Sequence, residues 1–202
     1  MRLWNGWGNE DSDLTMELSD GLRALLEALV GPGTALSQAT LNEVIDKVAN
    51  TRLDDHPLIK TDPETRVRHA RGQSLPDWLE MHSGNVDTFP DGVAFPESSD
   101  QVRDLLVHAK ENNLIVIPYG GGTSVVGHIN PETSDKPVLT IDMGKMNSLL
   151  SIDTESQLAT FGAGTPGPVV EEELKKHGYT LGHFPQSWEL STLGGWVASR
   201  SS

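Results

Sequence analysis

The chain has 202 residues, of which 36% are apolar and 22% charged, so it can bury one good core and is neither a coiled coil nor a disordered tail. Its 29 acidic and 15 basic residues give a formal net charge of -14, which disfavours binding to nucleic acid or to an anionic membrane surface. It contains no cysteine, which excludes disulfides, a thiolate nucleophile and cysteine zinc sites.

Neither a secretory signal nor a membrane span is predicted. The opening MRLWNGWGNEDSD has one early arginine and several acids but lacks an apolar central region. No later stretch approaches the roughly 18 apolar residues of a membrane span. We therefore expect a soluble, cytoplasmic protein without a transmembrane segment.

Two helices are predicted in the first 60 residues. Between residues 14 and 50, apolar residues at helical spacing form a stripe that ends at the turn Gly31-Pro32-Gly33. The stripe consists of Leu18, Leu22, Leu25, Leu26 and Leu29. A second helix is expected after Thr40, with Glu43 at the capping-box position. Its buried face comprises Leu41, Val44, Ile45 and Val48.

Residues 56–90 show no sustained period and contain prolines and charges, so irregular structure is predicted with one short helix near Leu75 to Met81. Long connections of this kind either have a function or cover a neighbouring domain, and the sequence is compatible with both interpretations. We predict a helical and irregular N-terminal segment over residues 1–85 and a second unit over residues 86–202.

From Gly92 onward the pattern predicts a strand, a helix and a strand. The apolar run GVAFP is followed by Ser98 and Ser99, either of which can cap a helix that ends at Asn112-Asn113. The apolar run LIVIP, residues 114–118, follows at once. This order is typical of a βαβ unit, in which the two strands are parallel.

Three further strands are predicted at residues 138–143, 148–153 and 157–164. Because their connections are short, we expect consecutive strands to pair antiparallel. A helix is expected from Pro168 to His177, where its acids and bases suit the helix dipole and Gly178 ends it.

The sequence YGGGTS, residues 119–124, follows the predicted strand LIVIP at its carboxyl end, where ligands of open α/β sheets usually bind. Glycines let backbone N–H groups approach an anion, and the hydroxyls add donors. The loop lacks the lysine of a P-loop and the third glycine of a dinucleotide fingerprint. On these residues alone, a phosphate cradle and a plain glycine-rich turn are equally compatible.

A second candidate segment, GHFPQSWELSTLGGWVASRSS, closes the chain. It again places hydroxyls beside a glycine pair and adds Arg200 as an anion donor. Alone it is a weak signal, because a serine- and glycine-rich tail looks much the same.

Taken together, PYGGGTSVVGH (118–128) and PQSWELSTLGGWVASRSS (185–202) resemble the FAD-linked oxidase family with a vanillyl-alcohol oxidase-like, PCMH-type FAD-binding domain. Within it the likeness is to the alkyldihydroxyacetonephosphate synthases, through WNGWGNED (4–11), RHARGQSLPDWLEMHSG (68–84) and LGHFPQSWELSTLGGWVASR (181–200). The resemblance implies an α+β fold: a small parallel βαβ subdomain plus antiparallel strands, preceded by a helical N-terminal segment.

The resemblance also implies which residues bind FAD. Those of the glycine loop, expected to wrap the pyrophosphate, are Pro118, Tyr119, Gly120, Gly121, Gly122, Thr123 and Ser124. Those expected to line the flavin and its phosphates are Gln186, Ser187, Trp188, Glu189, Leu190, Ser191, Thr192, Gly194, Gly195, Ser199, Arg200, Ser201 and Ser202. Some relatives attach the flavin to a histidine where this chain has Thr123, so we expect non-covalent FAD and no anchoring role for His128.

In the synthases that the chain resembles, an acyl group is exchanged for a long-chain alcohol, with the flavin taking part but without net oxidation. Their substrate residues lie in a C-terminal region, and we expect this sequence to end before them, inside the FAD domain. No catalytic residue and no metal site is therefore assigned, and the piece by itself is expected to be inactive. His183 lies in the flavin-facing motif, where a ligand role and a structural role both stay open.

Three functions follow from the sequence. The first is a synthase-type transferase of ether-lipid synthesis, and WNGWG and HARGQSL favour it. The second is an FAD-dependent D-2-hydroxy-acid dehydrogenase or oxidase, which shares the flavin domain. The third is a nucleotide-binding fragment without turnover. The expected partners are the cofactor and a small-molecule substrate, and a homodimer is allowed.

Overall fold

The structure is a computed structural model that describes residues 2–11 and 18–201. These ranges form seven α-helices, six β-strands and one 3-10 helix at Met143–Lys145. No helix in the described ranges has the length and apolar character that crossing a bilayer requires. Residues 14–17 of the first predicted helical region lie outside the described residues.

The main sheet has four strands in the spatial order β1-β2-β4-β3. They are β1 Ile59–Lys60, β2 Gly92–Ala94, β3 Ile115–Tyr119 and β4 Val138–Asp142. β4 pairs in parallel with β2 on one side and β3 on the other, and β1 pairs antiparallel with β2 at the edge. The predicted parallel relation of β2 and β3 is confirmed, although β4 lies between them.

The placement of β4 corrects a prediction. Residues 138–143 were expected to pair antiparallel with the strand that follows, and this is wrong because β4 is the parallel centre of the sheet. Residues 138–141 are all buried, as expected for a strand covered on both faces. The connection over residues 120–137 is long enough for the crossover that a parallel strand needs.

β5 (Leu149–Asp153) and β6 (Leu158–Phe161) form a separate two-stranded sheet. Their pairing is antiparallel, with a register shift between Leu149 and Ser151. The antiparallel prediction is confirmed for these two strands.

The two predicted N-terminal helices are present as α1 (Asp20–Val30) and α2 (Leu41–Ile45). α1 ends at Gly31, whose φ of 88° suits glycine, and every residue of α1 is exposed. α2 has the predicted capping box between Thr40 and Glu43. It is one turn shorter than its apolar pattern indicated.

The region predicted as irregular is more ordered than expected. The short helix near Leu75 is confirmed as α4, which spans Leu75–Ser83. The helix α3 (Pro63–Arg68) and the strand β1 were not predicted, because both are short and carry little periodicity. Asp62 caps α3 and proline occupies its first turn, a start signal that the sequence did contain. β1 extends the sheet of the second unit, while the boundary at residue 85 stays a prediction.

Three further helices follow along the chain. α5 (Ser99–Glu111) is capped by Ser98 and ends at Asn112 as predicted. α6 (Gly167–Lys176) also matches its prediction and is followed by Gly178 at φ 80°. α7 (Leu193–Ser199), capped by Thr192, was not predicted.

Three apolar clusters form the core of the described residues. The first lies among α2, α3 and α4 and contains Val44, Val67, Ala70, Met81 and Val86. The second lies between the sheet and α5 and contains Ala94, Leu105, Leu139 and Ile141. The third contains Ile117, Tyr119, Ile129 and Val138. Because Ile117 and Tyr119 belong to β3, the third cluster holds the end of this strand, and the loop that follows β3 starts from a fixed position.

A buried carboxylate joins the N-terminal segment to the sheet. Asp91 accepts hydrogen bonds from Arg52 Nε at 2.8 Å and Nη2 at 2.7 Å, and from the Val138 N–H at 2.7 Å. Burial raises the pKa of Asp91, but the hydrogen bonds from Arg52 and Val138 outweigh burial and hold the pKa below its usual value.

A histidine pair lies beside α5. The ring centroids of His56 and His108 are 4.7 Å apart. Burial, followed by electrostatic repulsion between the two imidazoles, lowers the pKa of His56.

Candidate cofactor site

The glycine loop, residues 120–124, begins where β3 ends and lies at the carboxyl edge of the parallel strands. Tyr119, the last residue of β3, is buried, and burial raises its pKa to about 12. Its ring centroid lies 4.7 Å from that of His69. The phenol therefore acts as a neutral anchor for the start of the loop.

The two segments singled out in the sequence lie in direct contact. A Cβ on Gly121 would lie 2.7 Å from the carbonyl carbon of Leu190 and 2.9 Å from Cα of Ser191. A Cβ on Gly120 would collide with the hydroxyl of Thr192. Real Cβ atoms do not approach backbone so closely, so Gly121 is required by the contact between the two segments, whereas Gly120 leaves room for the side chain of Thr192.

The glycine loop offers unpaired amides. In the described part of the chain, the N–H groups of Gly121, Gly122 and Thr123 donate to no protein acceptor. Gly122 adopts a φ of 66°, a left-handed conformation that glycine tolerates. Consecutive amides freed in this way form a concave donor site for an anion.

The second segment contributes a wall rather than amides. The N–H of Leu193 donates to Thr165 O at 2.9 Å, and that of Gly194 to Ala163 O at 2.8 Å. The Ser191 hydroxyl accepts a hydrogen bond from Trp196 Nε1 at 2.7 Å and can still donate its own proton. The backbone of this segment is therefore held in place, and the hydrogen-bond donors that the segment offers to a ligand are side-chain hydroxyls.

A cavity of about 880 Å³ lies in front of the glycine loop, within the size range of ligand pockets, about 300–1,000 Å³. Its described lining contains no Asp, Glu, Lys or Arg. An anionic ligand therefore meets no local repulsion there, despite the net charge of -14. The predicted site residues that line it are Pro118, Tyr119, Gly120, Gly121, Gly122, Thr123, Ser124, Ser187, Ser191, Thr192, Gly194, Gly195, Ser199 and Ser201.

Other predicted site residues lie elsewhere. Gln186 and Glu189 are exposed, and Trp188 packs against Gly167. Leu190 lines a second cavity on the opposite side of the loop, and Arg200 is the exposed C-cap of α7. None of these five is part of the lining of the 880 Å³ cavity. Ser202 lies outside the described residues.

The structure adds lining residues that were not predicted as site residues. Val102 and Leu106 of α5 face the cavity, and Leu106 is 49% exposed. Both are apolar residues at helical spacing, and this spacing alone does not distinguish a core from a cavity wall. Trp196, which is buried, also contributes to the lining.

The histidines near the site have different environments. His128 is exposed on the cavity and lies within hydrogen-bond distance of the Ser124 hydroxyl, at 3.1 Å from Nδ1. His183 does not line the cavity, and its ring packs at 5.0 Å against Trp196. Its Nε2 is buried and has no protein partner in the described ranges. The contact with Trp196 favours a structural role for His183 over a role in ligand binding.

The RHARGQSL segment supports the loop from behind. The N–H of Gln73 donates to Ser124 O at 2.6 Å, and Gly72 approaches the same carbonyl so closely that a Cβ would collide with it. The N–H of Gly72 donates to Asn130 Oδ1 at 3.0 Å, and Asn130 in turn donates to Asp77 at 2.6 Å. These contacts hold the far end of the glycine loop.

Comparison with known proteins identifies the ligand class of this site. The model of the family described as "FAD binding domain" matches residues 90–202. Alkyldihydroxyacetonephosphate synthase of Trypanosoma brucei brucei is 39% identical over 146 residues, which are 71% of this chain and 24% of that protein. D-lactate dehydrogenase (cytochrome) 1, mitochondrial, of Saccharomyces cerevisiae is 29% identical over 126 residues, which are 62% of this chain and 21% of that protein.

A solved structure of alkyldihydroxyacetonephosphate synthase is similar with a TM-score of 0.81 and 30% identity, covering 100% of this chain and 42% of that one. The chain spans between 24% and 38% of the length of three curated synthases that it matches. The unpaired amides and the uncharged cavity suit an anionic ligand, and the matched family model specifies which ligand this is. The chain belongs to the FAD-binding domain family, and its cofactor is FAD.

Proposed function

We propose that this chain is the cofactor-binding part of a transferase of the alkyldihydroxyacetonephosphate synthase type, active in ether-lipid synthesis. The observation that carries the proposal is the contact of the N-terminal motifs with the glycine loop. Gly72 and Gln73, which belong to the segment 68–84 of the likeness with the synthases, contact the carbonyl of Ser124 in the loop. Trp4, of the segment 4–11, lines the smaller cavity on the side of the loop opposite the 880 Å³ cavity. The match to the D-lactate dehydrogenase of Saccharomyces cerevisiae is 29% identical, against 39% for the synthase of Trypanosoma brucei brucei.

The residues present fit FAD. The amides of Gly121, Gly122 and Thr123 would bind the diphosphate, with the Thr123 and Ser124 hydroxyls as further donors. The apolar side chains of Val102, Leu106 and Trp196 would exclude water from the uncharged parts of the cofactor. When bound, the flavin ring supplies the electrophilic, redox-active group of the reaction. This chain contributes binding and orientation, which are the protein's main tasks in a cofactor enzyme.

We propose that FAD is held without a covalent bond. Thr123 lines the cavity at the position where the resemblance implies a histidine in covalently flavinylated relatives, and a threonine hydroxyl does not replace that imidazole. Acid precipitation of the full-length protein is expected to leave the flavin in the supernatant. Flavin that stays in the protein pellet would contradict this part of the proposal and would direct attention to His128.

The choice between transferase and dehydrogenase is tested on the full-length protein. With acyl-dihydroxyacetone phosphate and a long-chain alcohol, we expect formation of the alkyl product and release of the fatty acid. With D-lactate and an artificial electron acceptor, we expect no turnover. The opposite pair of results would replace the transferase with a D-2-hydroxy-acid dehydrogenase, and turnover in neither assay would favour a non-catalytic nucleotide-binding role.

The cytoplasmic location and the homodimer remain predictions from the sequence. A fluorescent fusion of the full-length protein and its mass in solution test the two separately.

A further inference from the structure

The glycine loop separates two cavities. On the side opposite the 880 Å³ cavity lies a smaller one of about 370 Å³. Gly120 and Gly121 line both cavities, whereas Gly122 lines only the larger one. The smaller cavity is bounded by the N-terminal segment, including Arg2 and Trp4.

Arg2 reaches the glycine loop across the smaller cavity. Its guanidinium Nη1 donates a hydrogen bond to the carbonyl oxygen of Gly121, a residue 119 positions later in the chain. A guanidinium is always charged at physiological pH, so this is a charge-assisted hydrogen bond. The bond fixes the orientation of one peptide plane in the loop.

The position of Arg2 is itself well supported. Arg68 Nη1 donates to the carbonyl of Arg2 at 2.9 Å. The N–H of Leu3 donates to Gly8 O at 3.0 Å and closes the segment into a loop. Trp4 packs against the apolar cluster that contains Val67 and Met81. Arg2 is therefore presented by a segment that is anchored independently of the cofactor.

The planarity of the peptide bond transmits this contact to the cofactor side. In a trans peptide, the carbonyl and the N–H of the next residue point in opposite directions. The carbonyl of Gly121 points toward Arg2 and the smaller cavity, so the N–H of Gly122 points away from it. That N–H is one of the three unpaired amides of the loop.

We propose that Arg2 is a positioning residue for FAD: by binding the Gly121 carbonyl from behind, it turns the Gly122 N–H toward the diphosphate. Gln73 holds the Ser124 carbonyl from the same side, so the loop is fixed at two points before the cofactor arrives. Preorganised donors bind more tightly because their ordering cost is already met in the apoprotein. The inference rests on FAD binding and is independent of the substrate.

The test measures FAD affinity in the full-length apoprotein by quenching of flavin fluorescence. Arg2→Met is expected to raise the Kd for FAD about 10-fold, the effect of losing one charge-assisted hydrogen bond. Arg2→Lys keeps the charge and a donor and is expected to give a smaller increase. Arg103→Met serves as the matched control, since Arg103 is an exposed cation on α5 that pairs with Asp100.

A structural role without positioning is distinguished by the melting temperature of the apoprotein. We expect Arg2→Met to weaken FAD binding while the apoprotein melts at the wild-type temperature. An unchanged Kd in Arg2→Met, an equal increase in Arg103→Met, or a loss of affinity matched by a loss of apoprotein stability would each overturn the proposal. Because synthase activity is not measured, an incorrect substrate assignment does not affect the result.

Discussion

Substitution of Gly121 by alanine tests the contact on which the site depends. The new Cβ would collide with the carbonyl oxygen of Leu190 and would lie 2.7 Å from the carbonyl carbon, whereas ordinary contact begins at 3.4 Å, so the whole carbonyl group must withdraw. The neighbours are backbone atoms, which cannot rotate away as a flexible side chain does. Overpacking of this kind costs about 1–3 kcal/mol.

The cost falls on the arrangement that binds FAD, because relief requires the glycine loop to separate from residues 190–192. At about 1.4 kcal/mol per tenfold change, the Kd for FAD is expected to rise about 5- to 150-fold in Gly121→Ala. Titration of the full-length apoprotein with FAD, followed by flavin fluorescence, measures this change.

Gly33→Ala is the matched control, because a Cβ at Gly33 meets nothing within 4 Å and the residue is far in sequence from the loop. It is expected to bind FAD as the wild type does. If Gly121→Ala binds FAD within twofold of the wild type, the close approach of the two segments does not form the cofactor site and the reasoning fails.

Three further predictions concern stability. Gly194→Ala, whose Cβ would lie 2.7 Å from a backbone carbonyl, should lower the free energy of urea unfolding by about 1–3 kcal/mol. Gly195→Ala, whose Cβ meets a side-chain oxygen at 3.3 Å, should not lower it, because alanine favours the helix over glycine by up to about 1 kcal/mol, and an equal loss in both variants would contradict the geometry. Asp91→Asn should cost about 2 kcal/mol at pH 7. The pKa of Asp91 is lowered in the folded state, so its carboxylate stabilises the fold above about pH 4, and this stabilisation is lost as pH falls through the folded-state pKa. Asp91→Asn should therefore lose less stability on acidification than the wild type. The pKa of His56 is also lowered in the folded state, so the unfolded state binds a proton first and stability is lost as pH falls below about 6.5. His56→Gln should therefore reduce the drop in melting temperature between pH 7 and pH 5. An unchanged drop would refute this reasoning.

The sequence predicts secondary structure correctly where the determining contacts lie between residues that are close along the chain. Ser98 and Thr40 cap their helices as predicted, because a capping side chain bonds to an amide only two or three residues away. The glycine loop was correctly placed directly after a strand. The prediction that this strand is buried is wrong, because β3 lies at the edge of the sheet and only Ile117 and Tyr119 of it are buried. The strand β1 and the helix α3 were not predicted, because β1 has only two residues and α3 only six, too few to show a hydrophobic period.

The pairing of β4 could not be predicted from its local sequence. Its apolar run looks the same whether it pairs with the following strand or inserts between β2 and β3. Which neighbours it takes depends on a crossover and on the cores on both faces, which are properties of the whole fold. The apolar face of α5 presents the same difficulty, because Leu105 enters the core and Leu106 faces the cavity.

The sequence by itself determined that a run of glycines and hydroxyls follows an apolar strand, and the family resemblance carried by separated motifs indicated FAD. Only the tertiary structure decided why the loop has that composition: Gly121 lies against Leu190, and its carbonyl is bound by Arg2. Residue types and their spacing record short-range preferences of the backbone. Contacts between residues 69 and 119 positions apart arise only when the fold brings them together.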